Sequence, residues 1–490
     1  MKKPDFKISY SQLPDIMFTP TRPDPAPKPN YAWVNVRFGH KIGLDDEWLN
    51  SQQSLDFFSG NADSDEYSSL AMAYSGHQFG HFSAQLGDGR ALLVGEFSGQ
   101  DGIGYDIHLK GSGSTAYSRR GDGKSTLRAA LKEVLFSEYL ASIGIATTRA
   151  LAVFETGEVV RRETSHKGAV LVRLAKSLIR VGTFEFANLS EDKLVVGQLA
   201  DFILQREFSH ISDAGAVKYQ KLFEQILSRQ AELIANWMSA GFIHGVMNTD
   251  NMALSGETID FGPCAFMENF KPSQVFSSID KQGRYAWNRQ AEIAVWNLTR
   301  LAEVLLPLFD DDQKAAIAFA EAELNAFMPR FGKHFTGLMM QKTGLTLTAE
   351  NAETMMNQTF AALTASKPDY TLFFRYLSDI LKGMPDDKLL ALCEDQEPIK
   401  QWLETWQQHI ANESLTAENI AEKMEQINPL YVPRLGLVEH ALDDAQNGDL
   451  TSFNKLLTAL QYPYVERTEF SEFAMPEGLT DGNRQTFCET

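Results

Sequence analysis

The sequence predicts a mixed α+β fold with a strand-rich N-terminal lobe and a larger helical C-terminal lobe. Up to about residue 190, short apolar runs alternate with glycine-rich turns, a pattern typical of strands. Beyond that point, apolar residues recur every three or four positions, as they do on amphipathic helices. We therefore expect an extended proline-rich segment over 1–32, a strand-rich lobe over 33–190, a helical lobe over 191–330 and a helical extension over 331–490.

Composition is that of an ordinary globular protein, with 43% hydrophobic and 22% charged residues. No apolar run approaches the length needed to span a bilayer, and the N-terminus lacks the apolar stretch of a secretory signal. The cysteines, Cys264, Cys393 and Cys488, are far apart and match neither a metal motif nor a disulfide framework. These features predict a cytoplasmic protein without a membrane partner.

Charge is unevenly distributed along the chain. The formal net charge of −19 disfavours binding to nucleic acid or to anionic membranes. Between residues 90 and 180, however, 14 Lys and Arg stand against 9 Asp and Glu. A basic segment within an acidic protein suggests a bound polyanion of limited size, for which a nucleoside triphosphate is a better candidate than a nucleic acid.

Periodicity and turn residues place the individual elements. The expected strands cover residues 32–38, 91–94, 105–110, 150–153, 159–161 and 169–174. Turns at 87–89 and 156–157 are predicted to close hairpins, because glycine tolerates the positive φ that tight turns need. Ser125 is the expected N-cap of a helix over 126–142, and a short helix is expected over 47–54. The expected C-terminal helices cover 194–209, 219–240, 289–309, 312–327, 348–365, 372–381, 399–409, 416–427 and 438–446.

A polar cluster, followed by a tight break at 255–257 and an Ile-Asp-Phe-Gly run, marks the stretch 244–262. Asn251 and Asp260 lie on either side of the break, so their oxygens can approach one another. Oxygen ligands of this kind suit Mg²⁺, which takes one or two protein groups and leaves its other positions to phosphates and water. Protein kinases build their metal site from a loop Asn and the Asp of an Asp-Phe-Gly motif, in this order.

The base of a kinase catalytic loop is missing from this stretch. Counted from His244, the position of the catalytic Asp is occupied by Val246, and the carboxylate stands instead beside the Asn as Asp250. Asp250 could cap the loop or act as a general base. A structural role that braces the loop is the favoured interpretation for His244. A nucleotide site is predicted, but without the usual base for γ-phosphoryl transfer to a hydroxyl.

Lys110 ends a predicted strand, and Glu133 lies on the helix that follows it, as in the kinase Lys–Glu pair that holds phosphates. Small neighbours around Glu133 leave room for a partner. Glu138 is the competing choice, and a solvated lysine with an unrelated helix carboxylate is the ordinary alternative. Spacing alone does not decide between these possibilities.

Further cations and glycines could contact phosphates. Arg173 and Arg180 can each clamp phosphate oxygens through two parallel hydrogen bonds, although surface ion pairs are the commoner fate of arginine. Gly87 and Gly89 precede Arg90, which would add a guanidinium to a glycine turn. Residues 123–125 resemble the end of a P-loop, but position 118 holds Ser where that motif needs Gly, so a P-loop is excluded.

Four long strings, at residues 74–96, 107–140, 244–263 and 428–442, together resemble the selenoprotein O family. The resemblance runs from about residue 30 to the C-terminus. It implies a protein-kinase-like bilobal fold and protein adenylyltransferase activity, with ATP bound in an orientation inverted relative to kinases. The reaction would transfer AMP from ATP to Ser, Thr or Tyr hydroxyls of protein substrates and release pyrophosphate.

The resemblance also implies roles for individual residues. Nucleotide contacts are implied for Gly87, Gly89, Arg90, Lys110, Asp122, Gly123, Arg173, Arg180 and Asp260, and Glu133 would orient Lys110. Asn251 and Asp260 would hold Mg²⁺, with Mn²⁺ as an alternative, and Asp250 would accept the proton. Many family members carry a redox motif near the C-terminus, which directs attention to Cys488; a disulfide between it and Cys264 is conceivable but not expected.

Two other functions remain open from the sequence. A phosphotransferase would use Asp250 as a displaced base and transfer the γ-phosphoryl group. A nucleotide-sensing scaffold would bind ATP without turnover, although retention of both Asn251 and Asp260 argues against it.

Overall fold

The computed structural model describes residues 4, 6–63, 67–476 and 486. Its strands are β1 (Phe18–Pro20), β2 (Asn30–Val34), β3 (Leu70–Met72), β4 (Gly76–Gln78), β5 (His81–Ser83), β6 (Ala91–Ser98), β7 (Gly104–Lys110), β8 (Ser125–Thr126), β9 (Arg149–Arg161), β10 (Ser165–Ala175), β11 (Phe242–Ile243) and β12 (Ala265–Phe266). Its helices are α1 (Val36–Ile42), α2 (Asp46–Leu49), α3 (Gln52–Phe58), α4 (Leu127–Ser142), α5 (Val181–Ala187), α6 (Leu194–Glu207), α7 (Ala216–Ala240), α8 (Gln290–Phe309), α9 (Gln313–Thr343), α10 (Ala349–Ser366), α11 (Tyr370–Leu381), α12 (Asp387–Leu390), α13 (Glu397–Ile410), α14 (Ala417–Glu425), α15 (Leu435–Gln446), α16 (Thr451–Gln461) and α17 (Ser471–Ala474). The prediction of a mixed α+β protein is confirmed.

Within the described residues, an eight-stranded antiparallel sheet forms the N-terminal part. Its order is β1-β3-β6-β7-β10-β9-β2, and β8 pairs with β10. The register between β7 and β10 places His108 opposite Arg173 and Lys110 opposite Leu171. Because side chains alternate along a strand, His108 and Lys110 share one face of the sheet. This register brings the cationic residues of the site together.

Helix α4 packs against the sheet and belongs to the larger of two buried apolar clusters, which continues into the C-terminal helices. Its N-terminus is capped by Thr126, whose hydroxyl accepts a hydrogen bond from the Ala129 amide at 3.1 Å. A smaller cluster contains residues of α1–α3 together with other side chains of the sheet, including Phe38, Trp48 and Phe57. The sheet is therefore buried by apolar side chains of both clusters.

Residues 6–32 differ from the expectation of an extended surface segment. Residues 9–12 and 15–17 form 3₁₀ turns, and β1 pairs with β3 at the edge of the sheet. Tyr10, Leu13 and Met17 are buried in the main core. The prolines disfavour helix, as expected, but the apolar residues between them bind the segment to the sheet.

Both predicted hairpin turns were wrong. The loop at 87–89 connects β5 to β6, which lie in different sheets; Gly87 has a φ of 71°, whereas Gly89 is absent from the positive-φ residues. Residues 156–157 lie inside the continuous strand β9, where Gly157 has a φ of 81° and the pairing with β10 shifts register nearby. A positive-φ glycine thus served as a strand irregularity and not as a hairpin end.

Several element boundaries also differ. Thr126, and not Ser125, caps α4, and the strand expected over 32–38 ends at Val34 because Asn35 caps the helix α1. Helices α5 and α16 were not predicted. The boundary drawn at residue 330 falls within the continuous helix α9, so no element ends there. The division into four segments otherwise stays a prediction.

The described helices include none with both the length and the apolar character required to cross a bilayer. Cys488 lies outside the described residues, so the expectations that concern it stay predictions.

Candidate active site

A buried cationic cluster surrounds the carboxylate of Asp260. Lys110 Nζ lies 2.8 Å from Asp260 Oδ1, and Arg173 Nη1 lies 2.9 Å from the same oxygen. Arg180 Nη2 is 3.6 Å from Asp260 Oδ2. Lys110 also donates a hydrogen bond to Glu133 on α4. Strand β7, helix α4, strand β10 and the segment after it thus each contribute a charged side chain to one inner cluster.

The competing partner for Lys110 is engaged elsewhere. Both oxygens of Glu138 accept hydrogen bonds from Arg149, at 2.8 Å from Nε and 2.6 Å from Nη2. Glu133 also lies 3.8 Å from Arg173 Nη1. The geometry therefore pairs Lys110 with Glu133 and leaves Glu138 to fasten α4 to β9.

Asp260 is ionised by its surroundings. Burial alone would raise its pKa, but the positive charges of Lys110, Arg173 and Arg180 outweigh burial and hold the pKa well below its usual range. Asp260 also has a φ of 64°, which is uncommon for a residue with a side chain. Strained backbone of this kind persists where the surroundings fix it, which the three cations do here.

Two further buried polar residues, His108 and Asp88, connect the cluster to the sheet. Arg173 Nη2 lies 2.9 Å from His108 Nδ1, and His108 Nε2 lies 3.1 Å from Asp88 Oδ2. Since arginine only donates, His108 must accept at Nδ1 and donate from Nε2 to Asp88. Burial lowers the pKa of His108, consistent with this neutral tautomer. His108 and Asp88 were missed by sequence reasoning, although His108 alternates with Lys110 on one strand.

The loop that carries Asp260 is held by two further contacts. His244 is fully buried, and its Nε2 lies 2.8 Å from the carbonyl oxygen of Ile259. Burial lowers the pKa of His244, so the ring is neutral and donates this hydrogen bond. Lys132 Nζ donates to the Gly262 carbonyl at 2.6 Å. These contacts place His244 as a brace of the loop, the role favoured from the sequence.

Asp250 occupies a different environment in the 3₁₀ turn Thr249–Asn251. Gln78 Nε2 donates to its Oδ2 at 3.3 Å, while Oδ1 is buried without a hydrogen-bond partner among the described residues. Burial raises the pKa of Asp250 to about 6, against the opposing charge of Arg180. A carboxylate with this pKa can take up and release a proton near neutral pH.

The hairpin β4–β5 covers Asp250. A Cβ added at Gly76 would lie 2.4 Å from Asp250 Oδ1, so only glycine allows the strand to approach so closely. The His77 amide donates to Thr249 Oγ1 at 2.7 Å, and Thr249 Oγ1 donates to Glu185 Oε2 at 2.6 Å. The other Glu185 oxygen lies 2.5 Å from His77 Nδ1. A ring of contacts thus joins the hairpin, the turn Thr249–Asn251 and α5.

Asn248 adds a second link between the hairpin and this turn. Its Oδ1 accepts hydrogen bonds from the Phe79 amide at 3.0 Å and from the Tyr285 hydroxyl at 2.6 Å. The string 74–80 was noted for its resemblance to the family, but its contacts with 248–250 could not be read from spacing. The hairpin is therefore a component of the site that the sequence did not predict.

Asn251 and Asp260 are the predicted ligands of a divalent cation. Asn251 Nδ2 donates to the Val246 carbonyl at 3.0 Å, which turns the amide nitrogen away from any metal and leaves the amide oxygen as the ligand atom. Within the described residues, no three or more His, Cys, Asp or Glu side chains are arranged to enclose a metal ion. The donor set fits Mg²⁺ that brings phosphate and water ligands with it, and not a closed protein-only site.

The remaining predicted nucleotide contacts lie in loops near the sheet. A Cβ at Gly87 would lie 2.3 Å from the Tyr117 ring, and one at Gly89 would lie 2.8 Å from the Tyr117 carbonyl. Arg90 is half-buried at the start of β6. Asp122 is bound by Arg162 at 2.8 Å, and Gly123 packs on Gly113. Within the described residues, no hydrogen bond or ion pair joins Asp122 to the inner cluster.

Comparisons with known proteins agree over the whole molecule. Residues 1–461 match the model of a family described as "Protein adenylyltransferase SelO". A protein of Bradyrhizobium sp. (strain BTAi1) named "Protein nucleotidyltransferase YdiU" is 44% identical over 487 residues, which cover 99% of each chain. Proteins of the same name from Rhodopseudomonas palustris (strain BisB18) and Methylorubrum populi are 42% and 43% identical, again over 99% of each chain. A match over nearly the full length, at this identity, shows that the chain belongs to the SelO family of protein adenylyltransferases and is an enzyme of the nucleotidyltransferase class.

Proposed function

We propose that this enzyme transfers AMP from ATP to Ser, Thr or Tyr hydroxyls of proteins, with ATP bound inverted relative to protein kinases. The observation that carries the proposal is the position of the cations. Lys110, Arg173 and Arg180 all converge on Asp260 in the interior, where they would hold the β- and γ-phosphates. The α-phosphate would then face the outer end of the site, beside Asp250.

The order of the elements supports a kinase-like bilobal arrangement. The sheet, α4 with its Lys110–Glu133 pair, and the turn and loop that carry Asn251 and Asp260 occur in the order found in kinases. Lys110 together with the arginines is more positive charge than a kinase usually directs at a γ-phosphate. The additional buried arginines favour an inverted nucleotide over the kinase orientation.

In the proposed step, the acceptor hydroxyl oxygen bonds to the α-phosphorus while the bond from that phosphorus to the bridging α,β-oxygen breaks. Pyrophosphate leaves with the bridging oxygen and its electron pair. The hydroxyl proton passes to Asp250, whose pKa of about 6 leaves most of the carboxylate ionised at neutral pH. Lys110, Arg173 and Arg180 stabilise the charge that develops on the leaving pyrophosphate.

Mg²⁺, or Mn²⁺ in its place, would be held by Asn251 and Asp260. When bound, it would neutralise charge on the phosphate oxygens and help to orient them. The cytoplasmic location and the absence of a nucleic-acid partner belong to the same proposal; both are supported by the net charge of −19 and by the dispersed cysteines.

The decisive experiment uses ATP labelled separately at the α- and γ-phosphorus, with label on protein as the readout. The wild-type enzyme is expected to place α-label, and not γ-label, on itself or on proteins of a cell extract, and Asp260→Ala is expected to abolish the signal. Asp201→Asn, at an exposed carboxylate bound by Lys218, is the matched control.

Transfer of γ-label alone would establish a phosphotransferase with Asp250 as its base and overturn the inverted nucleotide. ATP binding without label from either position would favour a nucleotide-sensing scaffold. Loss of label in Asp201→Asn as well would show that the assay responds to general damage and not to the metal ligand.

A further inference from the structure

An arginine, Arg284, lies at the outer surface of the site, next to the β4–β5 hairpin that covers Asp250. Arg284 lies against the tip of the β4–β5 hairpin, where a Cβ added at Gly80 would be 3.6 Å from the guanidinium carbon. Gln78, two residues earlier, donates to Asp250. Since an extended chain advances at most about 3.6 Å per residue, Arg284 lies within a short peptide's reach of the proposed base.

Aromatic contacts fix this arginine in place. Its guanidinium lies 4.8 Å from the centre of the Trp296 ring and 5.7 Å from that of Tyr285. Tyr285 in turn donates its hydroxyl hydrogen at 2.6 Å to Asn248, which immediately precedes the turn Thr249–Asn251. Stacking on two rings limits the freedom of the side chain, so less entropy is lost when it binds a partner.

The charge of Arg284 is not neutralised within the described part of the chain. No ion pair joins its guanidinium to a carboxylate of the described residues, and its Nε is buried without a hydrogen-bond partner. The nearby Asp280 carboxylate is taken up by backbone amides, since its Oδ1 accepts from the Arg284 amide at 2.9 Å and its Oδ2 from the Tyr285 amide at 2.8 Å. Arg300 provides the contrast, since it lies 5.2 Å from the centre of the same Trp296 ring but pairs with Glu303 at 2.7 Å. The inner arginines are likewise paired, with Asp260.

The surroundings suit an extended peptide. Phe82 is 46% exposed on β5, and its ring lies 4.9 Å from that of His77, which in turn lies 5.2 Å from Trp296. A continuous aromatic surface with one unneutralised guanidinium favours a partner that offers apolar contact and a carboxylate. Arginine binds carboxylates through two parallel hydrogen bonds, which also fixes their orientation.

We propose that Arg284 is a specificity residue that binds an Asp or Glu side chain located within about three residues of the acceptor hydroxyl. This inference rests on the proposed function, because it assigns the kind of protein segment that the enzyme modifies. The acidic side chain would pair with the Arg284 guanidinium beside the hairpin tip and would hold the hydroxyl next to Asp250.

The test uses peptides with a single hydroxyl residue and with Glu, Gln or Lys placed in turn at each of about three positions on either side. Transfer of α-label from Mg·ATP is measured for each peptide. At one position the wild-type enzyme is expected to prefer Glu over Gln by about tenfold in kcat/KM. Arg284→Gln is expected to reduce that ratio to about one, and Arg284→Glu to favour the Lys peptide.

Arg300→Gln is the matched control, because it removes a second arginine from Trp296 without removing an unneutralised charge, and the Glu preference should persist. Equal labelling of Glu and Gln peptides by the wild type, or a preference that survives Arg284→Gln or disappears equally in Arg300→Gln, would overturn the acidic subsite alone. Absence of α-label on every peptide and protein would overturn the proposed function and the subsite together. Increased α-labelling of the Lys peptide by Arg284→Glu would exclude misfolding as the cause of the lost preference for the Glu peptide.

Discussion

The inner and outer ends of the site hold two carboxylates only ten positions apart in the sequence, yet their surroundings are opposite. Asp260 is contacted by Lys110, Arg173 and Arg180, and its pKa is held well below the usual range. Asp250 has one long hydrogen bond from Gln78, and burial raises its pKa to about 6. Identical side chains thus acquire different chemistry from the charges placed around them.

This difference supports separate proposed roles for Asp260 and Asp250 in the reaction. A permanently ionised Asp260 can orient cations and accept a metal, but it cannot serve as a proton acceptor near neutral pH. Asp250 is the proposed proton acceptor, because among the described residues no ion pair engages it and burial raises its pKa to about 6. If this comparison is right, variants at the inner end should mainly weaken nucleotide binding and charge stabilisation, and variants at the outer end should alter the pH dependence.

The largest expected effect is that of Asp260→Asn. Loss of the inner anion would release Lys110 and Arg173 and remove a proposed metal ligand, so AMP transfer should fall on the order of 10⁴-fold. Single-turnover transfer of α-label measures the loss, with Asp201→Asn as the control for an exposed carboxylate. Activity within about tenfold of wild type would show that Asp260 is structural.

Asp250→Asn should lower kcat on the order of 10³-fold while nucleotide affinity stays near that of wild type. Because the ionised carboxylate is the proposed proton acceptor, wild-type kcat should rise with pH through about 6 and then level off. The variant should lack this acid limb. Calorimetric titration with a non-hydrolysable ATP analogue is the control, and a variant whose pH profile keeps the wild-type shape would eliminate Asp250 as the base.

Arg173→Met tests the contribution of one cation at the inner end to nucleotide binding. Arg173 is 2% exposed and contacts both Asp260 and His108, so its loss should reduce kcat/KM for ATP on the order of 10²-fold. Arg206→Met is a matched control, because Arg206 is also paired with a buried carboxylate, that of Asp106, outside the cluster. Both variants should lose stability in thermal unfolding, and only Arg173→Met should lose nucleotide affinity. Equal loss of affinity in the two would attribute the effect to stability.

The smallest expected effect is that of Gln78→Leu. The hydrogen bond donated by Gln78 favours the ionised form of Asp250. Loss of this bond should raise the pKa of Asp250 and shift the acid limb of the kcat profile to higher pH. At neutral pH the rate should fall less than about tenfold. The exposed Gln282→Leu serves as the control. An acid limb at the wild-type position in Gln78→Leu would contradict the proposed contact.

Local patterns were sufficient to predict the class of fold and to single out Lys110 and Glu133 as candidates for the inner cluster, although spacing left Glu138 as an alternative partner. Lys110 ends a strand and Glu133 lies on the next helix, so both could be recognised within a short stretch of sequence. The outer end could not be predicted in this way. Gln78 and Asp250 are 172 positions apart, and the Glu185–Thr249 contact spans 64 positions. Only the folded chain brings these residues together.

The turn predictions failed for a related physical reason. A glycine in the sequence indicates that a positive φ is allowed at that position. It does not indicate which strand the following residues pair with. Gly157 satisfies its positive φ inside β9, and Gly87 does so where the chain passes between two sheets. Likewise, the prolines before residue 32 could not reveal that Tyr10 and Met17 are buried under the sheet.

Helix α4, which carries Glu133, packs against β9 and β10 and also against α15 and α16 near the end of the chain. Arg128 at its start is bound by Glu439 and Asp443, and Ser142 at its end donates to the Leu460 carbonyl at 2.7 Å. Residues more than 300 positions away thus fasten both ends of the helix. During synthesis on the ribosome, α4 and its Glu133 are therefore made well before α15 and α16, and the helix gains these contacts only after residues 435–461 have been added.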